Sequence, residues 1–378
     1  MILRNLLEMR LFLLHLFLGW VTLTPVSAQV LNSGLMNSDT GEHIGNLSIG
    51  AYLDTYFGFD FSRPEDGQVP YFVSMNRHNE ATVNLAFVDI RYESERVRGR
   101  LVPGFGTYIN ANYQNEPGTL KNLVEASVGF QVFKEKEIWV DFGILGSPYT
   151  NESAISRDHL MYTRSFAPEY VPYYLSGAKF TLPLSGKLTA YLYLLNGWQQ
   201  IRDQNRGKAL GTQLEYRPDK KNLINWNTYW GDERSSDRPE DRLRAFSDVY
   251  WIHDGDGKWD FTSCLYAGFQ NNLMDRFNSK VFWWQANFIA RYHFTEKIAL
   301  SGRMEYFSDP NSIQITAELQ PPFQAFSNGL CLNLTPQSNL LLRIEGRYFY
   351  SSEALFQQTA QQTSKDKFWM ISGITFSF

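Results

Sequence analysis

Cysteine is scarce, with two in 378 residues, Cys264 and Cys331. On the strand pattern set out below they fall three strands apart, beyond the Cα separation of about 4.4–6.8 Å that a disulfide spans, so both are expected to be free thiols. Long apolar runs are absent once the first thirty residues are passed. Beyond Ala28 no stretch approaches the roughly 18 uncharged apolar residues that mark a membrane helix, which excludes one from the mature chain. Basic blocks are missing too. With a net charge of −4 and an isoelectric point near 5.9, nucleic acid is not an expected partner.

Catalytic and metal patterns are equally thin. After the first thirty residues the histidines are His43, His78, His159, His253 and His293, and none sits in a triad pattern with a nucleophile, so no enzyme is expected. Asp254-Gly255-Asp256-Gly257 looks like a calcium loop, but no bidentate Glu closes the frame, and a tight hairpin is expected instead. Gly104-Phe105-Gly106 reads as strand interior, without the strand-to-helix context of a phosphate loop. No cofactor or metal is expected.

What is present begins with Arg4 and Arg10, an apolar run from Leu11 to Leu23 and the small residues Val26-Ser27-Ala28 before Gln29. That is the pattern of a cleaved signal peptide over residues 1–28, with an apolar core too short to span a bilayer. Aromatic residues make up 16% of the chain, with 28 Phe, 21 Tyr and 10 Trp, yet the mean hydropathy is −0.33. A soluble domain would hide such a load in a core. A membrane β-barrel needs only one apolar face per strand plus aromatic girdles, and is hydrophilic on average.

The periodicity agrees. From Leu47 to Phe61 one parity reads Leu47, Ile49, Ala51, Leu53, Thr55, Phe57, Phe59, Phe61, and the other Ser48, Gly50, Tyr52, Asp54, Tyr56, Gly58, Asp60. This is a strand with one greasy and one wet face. About sixteen such segments begin near residues 47, 81, 98, 122, 138, 174, 188, 208, 222, 245, 259, 281, 298, 326, 340 and 367. In the second, the apolar parity changes near Phe87-Val88, which predicts a bulge. Short connections such as Glu95-Arg96, Lys134 to Glu137 and Pro336-Gln337-Ser338 alternate with longer polar ones, among them residues 62–79, 146–173 and 352–366. The expected fold is an all-β, transmembrane, antiparallel up-and-down β-barrel over residues 47–378, with short periplasmic turns and longer extracellular loops. Residues 29–46 would form a short periplasmic segment, too short for a plug domain. The last segment ends on Phe376 and Phe378, which looks like the signal read by the outer-membrane barrel-assembly machinery.

Three stretches carry a resemblance: Asn196-Gly197-Trp198, Arg303-Met304-Glu305-Tyr306-Phe307-Ser308-Asp309, and Leu340-Leu341-Leu342-Arg343-Ile344-Glu345-Gly346-Arg347-Tyr348. Together they resemble the OmpL-like β-barrel porin family, over almost the whole mature chain. The resemblance implies an outer-membrane porin, in a family whose substrates are mostly unassigned. After Arg347-Tyr348 this chain has Phe349-Tyr350 in place of a more polar ending, so the following loop is expected to be its own.

With lipid on the apolar parity, the lumen parity carries Asp89, Arg91, Arg98, Arg100, Glu125, Asp141, Lys179, Arg291, Arg303, Glu305, Arg343, Glu345 and Arg347. On the lipid face an Arg or Lys would cost about 2–4 kcal/mol at the midplane. Arg303 with Glu305, and Arg343 with Glu345 and Arg347, form ladders of alternating sign. They either filter solutes across an open lumen or pair with one another and brace the wall or a plug. The segment from Ser147 to Tyr173 carries Glu152, Arg157, Asp158, His159, Arg164 and Glu169 among aromatics, and either enters the lumen or packs over its neighbours. Asp232 to Arg244 reads as a solvated outer loop, or one that contacts surface glycolipid. The functional expectation is passive diffusion of small hydrophilic solutes or ions through a channel in a Gram-negative outer membrane. The expected partners are outer-membrane lipid and lipopolysaccharide, with a homotrimer suggested by analogy to sixteen-stranded porins. The rival is a closed barrel with a structural, adhesion or assembly role; strand number favours the channel, because sixteen to eighteen strands leave an aqueous lumen.

Overall fold

A computed structural model describes residues 42–44, 46–205, 207–234, 243–271, 280–315, 322–359 and 362–378. The expected signal peptide, most of the segment 29–46, and residues 235–242 of the expected solvated loop lie outside the described residues. Sixteen strands form the wall: β1 Leu47–Asp60, β2 Glu80–Glu93, β3 Val97–Phe105, β4 Leu123–Phe133, β5 Lys136–Gly146, β6 Tyr174–Ser185, β7 Leu188–Leu195 and β8 Ala209–Tyr216, then β9 Asn222–Asp232, β10 Leu243–His253, β11 Trp259–Asn271, β12 Lys280–Thr295, β13 Ile298–Asp309, β14 Phe323–Gln337, β15 Leu340–Tyr350 and β16 Asp366–Ser377. Each pairs antiparallel with its sequence neighbours, and β16 closes on β1 with Phe376 opposite Leu53 and Trp369 opposite Asp60. Among the described residues, closure gives each of these sixteen strands a neighbour on both sides. The starting positions read from the sequence lie within three residues of those observed.

The alternation that marked the strands also sets their orientation. In β1, Leu53 is 39% exposed on the outside while Tyr52 and Asp54 are 2% and 0% exposed, because successive side chains point to opposite faces. Leu101, Val128, Phe142, Leu265, Met304 and Leu330 continue this outer apolar face around the wall. At one end the connections are two to five residues long. In one of them the Asp219 carboxylate accepts the backbone N–H groups of Lys221 and Asn222 at 2.8 and 3.0 Å, fixing the turn locally. The connections at the other end are longer.

Two local readings change. The bulge in β2 lies at Asn84, where the ladder passes from Asp54 opposite Leu85 to Thr55 opposite Val83. It precedes the expected position because Ala81 to Val88 is apolar on both parities except at Thr82 and Asn84. Gly104-Phe105-Gly106 is not strand interior: β3 ends at Phe105, and Gly106, at φ 129°, leads into the helix α1, Thr107–Asn112. A Cβ at Gly106 would lie 2.3 Å from the Asn84 carbonyl oxygen, so glycine is needed where chain meets chain. Cys264 on β11 and Cys331 on β14 are free, as expected, and both are buried.

Candidate functional site

The barrel interior holds the candidate site, and one connection dominates it. The segment from Ser147 to Tyr173, between β5 and β6, turns inward and crosses to the far wall. On β9 the Asn227 amide donates to the Pro148 carbonyl at 2.9 Å, and on β10 the Asp248 carboxylate accepts the Thr150 N–H. The Asn151 amide donates to Thr262 Oγ1 of β11 at 2.9 Å and to Asn287 Oδ1 of β12 at 3.1 Å. On β1, Asp54 accepts from Tyr162 Oη at 2.9 Å and from Ser156 Oγ at 3.1 Å. Of the two destinations open for this segment, the lumen is the observed one.

The ladder on β13 and β15 lies beneath it. Arg303 donates to the Thr163 carbonyl at 2.7 Å, and Glu345 accepts the N–H groups of Tyr162 and Thr163, each at 2.8 Å. Arg343 donates to the carbonyls of Met161 and Ser156, each at 2.6 Å; Arg347 donates to that of Arg164 at 2.8 Å and pairs with Glu305, which also accepts the Phe166 N–H at 2.6 Å. All five charged residues are no more than 2% exposed. They face inward, but loop backbone covers them, so bracing rather than an open-lumen filter describes their geometry. Burying these charges is tolerable because all five are hydrogen-bonded and four of them, Arg303, Glu305, Glu345 and Arg347, are ion-paired. Arg291 likewise donates to the His159 carbonyl.

The remaining inward charges form a separate group on β2 to β6. Asp89 takes Arg91 and Arg100, each at 2.7 Å; Arg100 also reaches Glu125 at 2.8 Å; and Asp141 takes Arg98 at 2.6 Å and Lys179 at 3.5 Å. No part of the Ser147–Tyr173 segment appears among these pairs. The sequence-predicted residues therefore fall into two networks on different walls.

Apolar groups fill much of the half of the lumen nearest the long connections. Phe166 packs with Phe72, Phe307, Phe323 and Phe349, their ring centroids 5.4–5.8 Å apart. The β1–β2 connection joins this cluster, held where the Glu169 carboxylate accepts the Val73 N–H at 2.6 Å. Against the β4–β10 wall a cavity of about 110 Å³ remains, lined by residues that include Glu125, Glu152, Asp158, His159 and Tyr250. Enclosure pushes the Asp158 carboxyl up to about 7, against the pull of Arg157 and Arg343. Burial holds His159 well below its usual range and therefore neutral; its Nε2 accepts the Ser153 N–H at 2.8 Å, so the ring proton resides on Nδ1.

Phe376 and Phe378 lie outside the barrel wall, 37% and 46% exposed. Sequence reading missed Thr163, Tyr162, Asp54, Asp248 and Asn287. Asp54 and Asn287 could have been found on the wet parity of their strands, whereas nothing local to Thr163 announces contact with β13 and β15.

Comparison with known proteins agrees with this architecture. The family profile described as "Putative beta-barrel porin-2, OmpL-like" matches residues 46–378. Among solved structures, the outer-membrane channel DcaP of Acinetobacter baumannii is similar at TM-score 0.59 and 10% identity, over 88% of this chain and 97% of that one. Salmonella typhi OmpF in complex with daunomycin gives 0.59 and 11% over the same shares. OmpT of Vibrio cholerae gives 0.55 and 9%, over 90% of this chain and 100% of that one. At these identities the likeness is one of fold. Among curated proteins, none matches the chain.

Proposed function

This chain belongs to the OmpL-like β-barrel porin family, and we propose that it is an outer-membrane channel for passive diffusion of small hydrophilic solutes, narrowed by the segment Ser147–Tyr173. The observation that carries the proposal is the segregation of side chains across one closed wall. Large apolar groups such as Phe142, Leu265 and Met304 are exposed outside, while Arg91, Arg98 and Lys179 keep contact with water inside. Hydrocarbon suits the first surface and an aqueous lumen the second. On this reading lipid and lipopolysaccharide meet the outer face, the short connections lie in the periplasm and the long ones outside. Phe376 and Phe378 are offered to the assembly machinery, and assembly as a homotrimer belongs to the same proposal. The inserted loop then limits the size of what passes.

The rival closed barrel is favoured by one observation, the aromatic cluster around Phe166 that fills the interior behind the loop. Reconstitution of the purified chain into a planar bilayer decides between them. Stepwise single-channel conductance supports the channel. Insertion of a heat-modifiable barrel that never conducts removes it and leaves the closed scaffold.

A further inference from the structure

On the inner wall from β2 to β8 the two partners of each ion pair differ in their access to water. Arg91 is 17% and Arg100 16% exposed against 3% for their shared Asp89. Arg98 at 31% and Lys179 at 27% stand over Asp141 at 5%. Arg100 exceeds Glu125, at 8%, and Arg217, at 30%, exceeds Glu215, at 12%. The carboxylates form the floor and the cations face the water. Among the described residues, these ion pairs set five cations, Arg91, Arg98, Arg100, Lys179 and Arg217, over the four carboxylates Asp89, Glu125, Asp141 and Glu215.

These cations are also held in place. The Arg98 guanidinium lies 4.4 Å from the centre of the Trp139 ring while bonded to Asp141 at 2.6 Å. Arg100 spans Asp89 and Glu125. A fixed guanidinium loses little freedom when it meets a ligand, and its planar fork matches the oxygens of carboxylate and phosphate. Low-dielectric walls around such a row concentrate its field in the lumen.

We propose that this wall is a binding site for small oxyanions, solutes bearing a carboxylate or phosphate group, and that it gives the barrel a preference for anions. The transport half of the proposal rests on the channel reading above; the binding half does not. Two measurements on the full mature chain separate them, with inorganic phosphate as the probe. The first is the reversal potential in a potassium chloride gradient across a planar bilayer, and the second is calorimetric titration of the folded barrel in detergent. The variant is Arg91→Gln/Lys179→Gln/Arg217→Gln, in which Asp89 keeps Arg100 and Asp141 keeps Arg98; heat-modifiability on gels confirms that it folds. The wild type is expected to show a reversal potential of the chloride sign and saturable phosphate binding. In the variant the potential shifts towards zero and phosphate binds about tenfold more weakly, as loss of one charge-assisted contact would give. A potential of the potassium sign, or phosphate binding equal in the two proteins, overturns the site. A barrel that does not conduct yet binds phosphate in this residue-dependent way retains the site and loses the channel.

Discussion

Arg303 of β13 and Glu345 of β15 stand on strands separated by β14, yet Arg303 Nη2 and Glu345 Oε1 meet at 2.9 Å. The contact is open because Gly329, opposite Arg303 on one side and Arg347 on the other, presents no side chain between them. Thr163 of the inserted loop completes it: Thr163 Oγ1 accepts from Arg303 at 2.8 Å and donates to Glu345. The pair is a latch on the wall, and Thr163 is the part of the loop that it grips.

Removing one half of the latch leaves the other buried without its ion-pair partner. Arg303→Ala is expected to destabilise the folded barrel by about 3–5 kcal/mol. The double variant Arg303→Ala/Glu345→Ala is expected to cost less than the sum of the two single changes, since neither partner of the pair is left without the other. Denaturant unfolding of the refolded barrels measures both. Simple additivity would mean that the two residues do not act as a pair.

Gly373 of β16 offers a more local probe. A Cβ there would lie 1.8 Å from Tyr162 Oη and 2.6 Å from the Thr55 carbonyl oxygen. Gly373→Ala must therefore displace Tyr162 from Asp54 or bend the β1–β16 ladder. Expected is faster cleavage within residues 147–173 under limited proteolysis, with the strands still protected. Protection of the loop equal to that of the wild type would show that Tyr162 does not anchor it.

If the loop limits the lumen, shortening it widens the passage. Replacement of residues 151–164 by a flexible Gly-Ser connection is expected to raise single-channel conductance well above that of the wild type while the barrel remains heat-modifiable. Unchanged conductance would place the narrowest point elsewhere.

The wall was legible in the sequence and the loop's destination was not, for a physical reason. Strand position follows from period-two alternation, which Leu47 to Phe61 displays at every step. Where alternation blurs, as between Ala81 and Val88, the bulge was misplaced while the strand itself was still found. Tyr149, Tyr162, Phe166, Tyr170 and Tyr173 mark a segment that must be buried, but aromatic content alone does not distinguish a lumen from a surface covered by other loops. Likewise the parity of Arg303, Glu345 and Arg347 gave their direction. Whether water or the backbone of a loop far away in sequence meets them depends on tertiary contacts that carry no periodic signal.

Asp158 makes the same enclosure measurable through pH. Its carboxyl, raised to about 7 by burial, is largely neutral at about pH 6 and charged at about pH 8, whereas in the unfolded chain it ionises near 3.9. Arg157 of the same loop and Arg343 of β15 are the cations that act on it. Because the folded state disfavours the charged form, the stability this group contributes is fully present below its unfolded pKa and is lost as pH rises through about 7. Asp158→Asn is therefore expected to make the barrel more stable than the wild type at about pH 8 and to narrow that difference as pH falls. In the lumen, ionisation adds a negative charge beside the cavity. Any anion preference should weaken between about pH 6 and about pH 8 in the wild type and stay flat over that interval in Asp158→Asn. A wild-type titration with its midpoint near 4 would show a carboxyl in bulk water and a loop that does not enclose it.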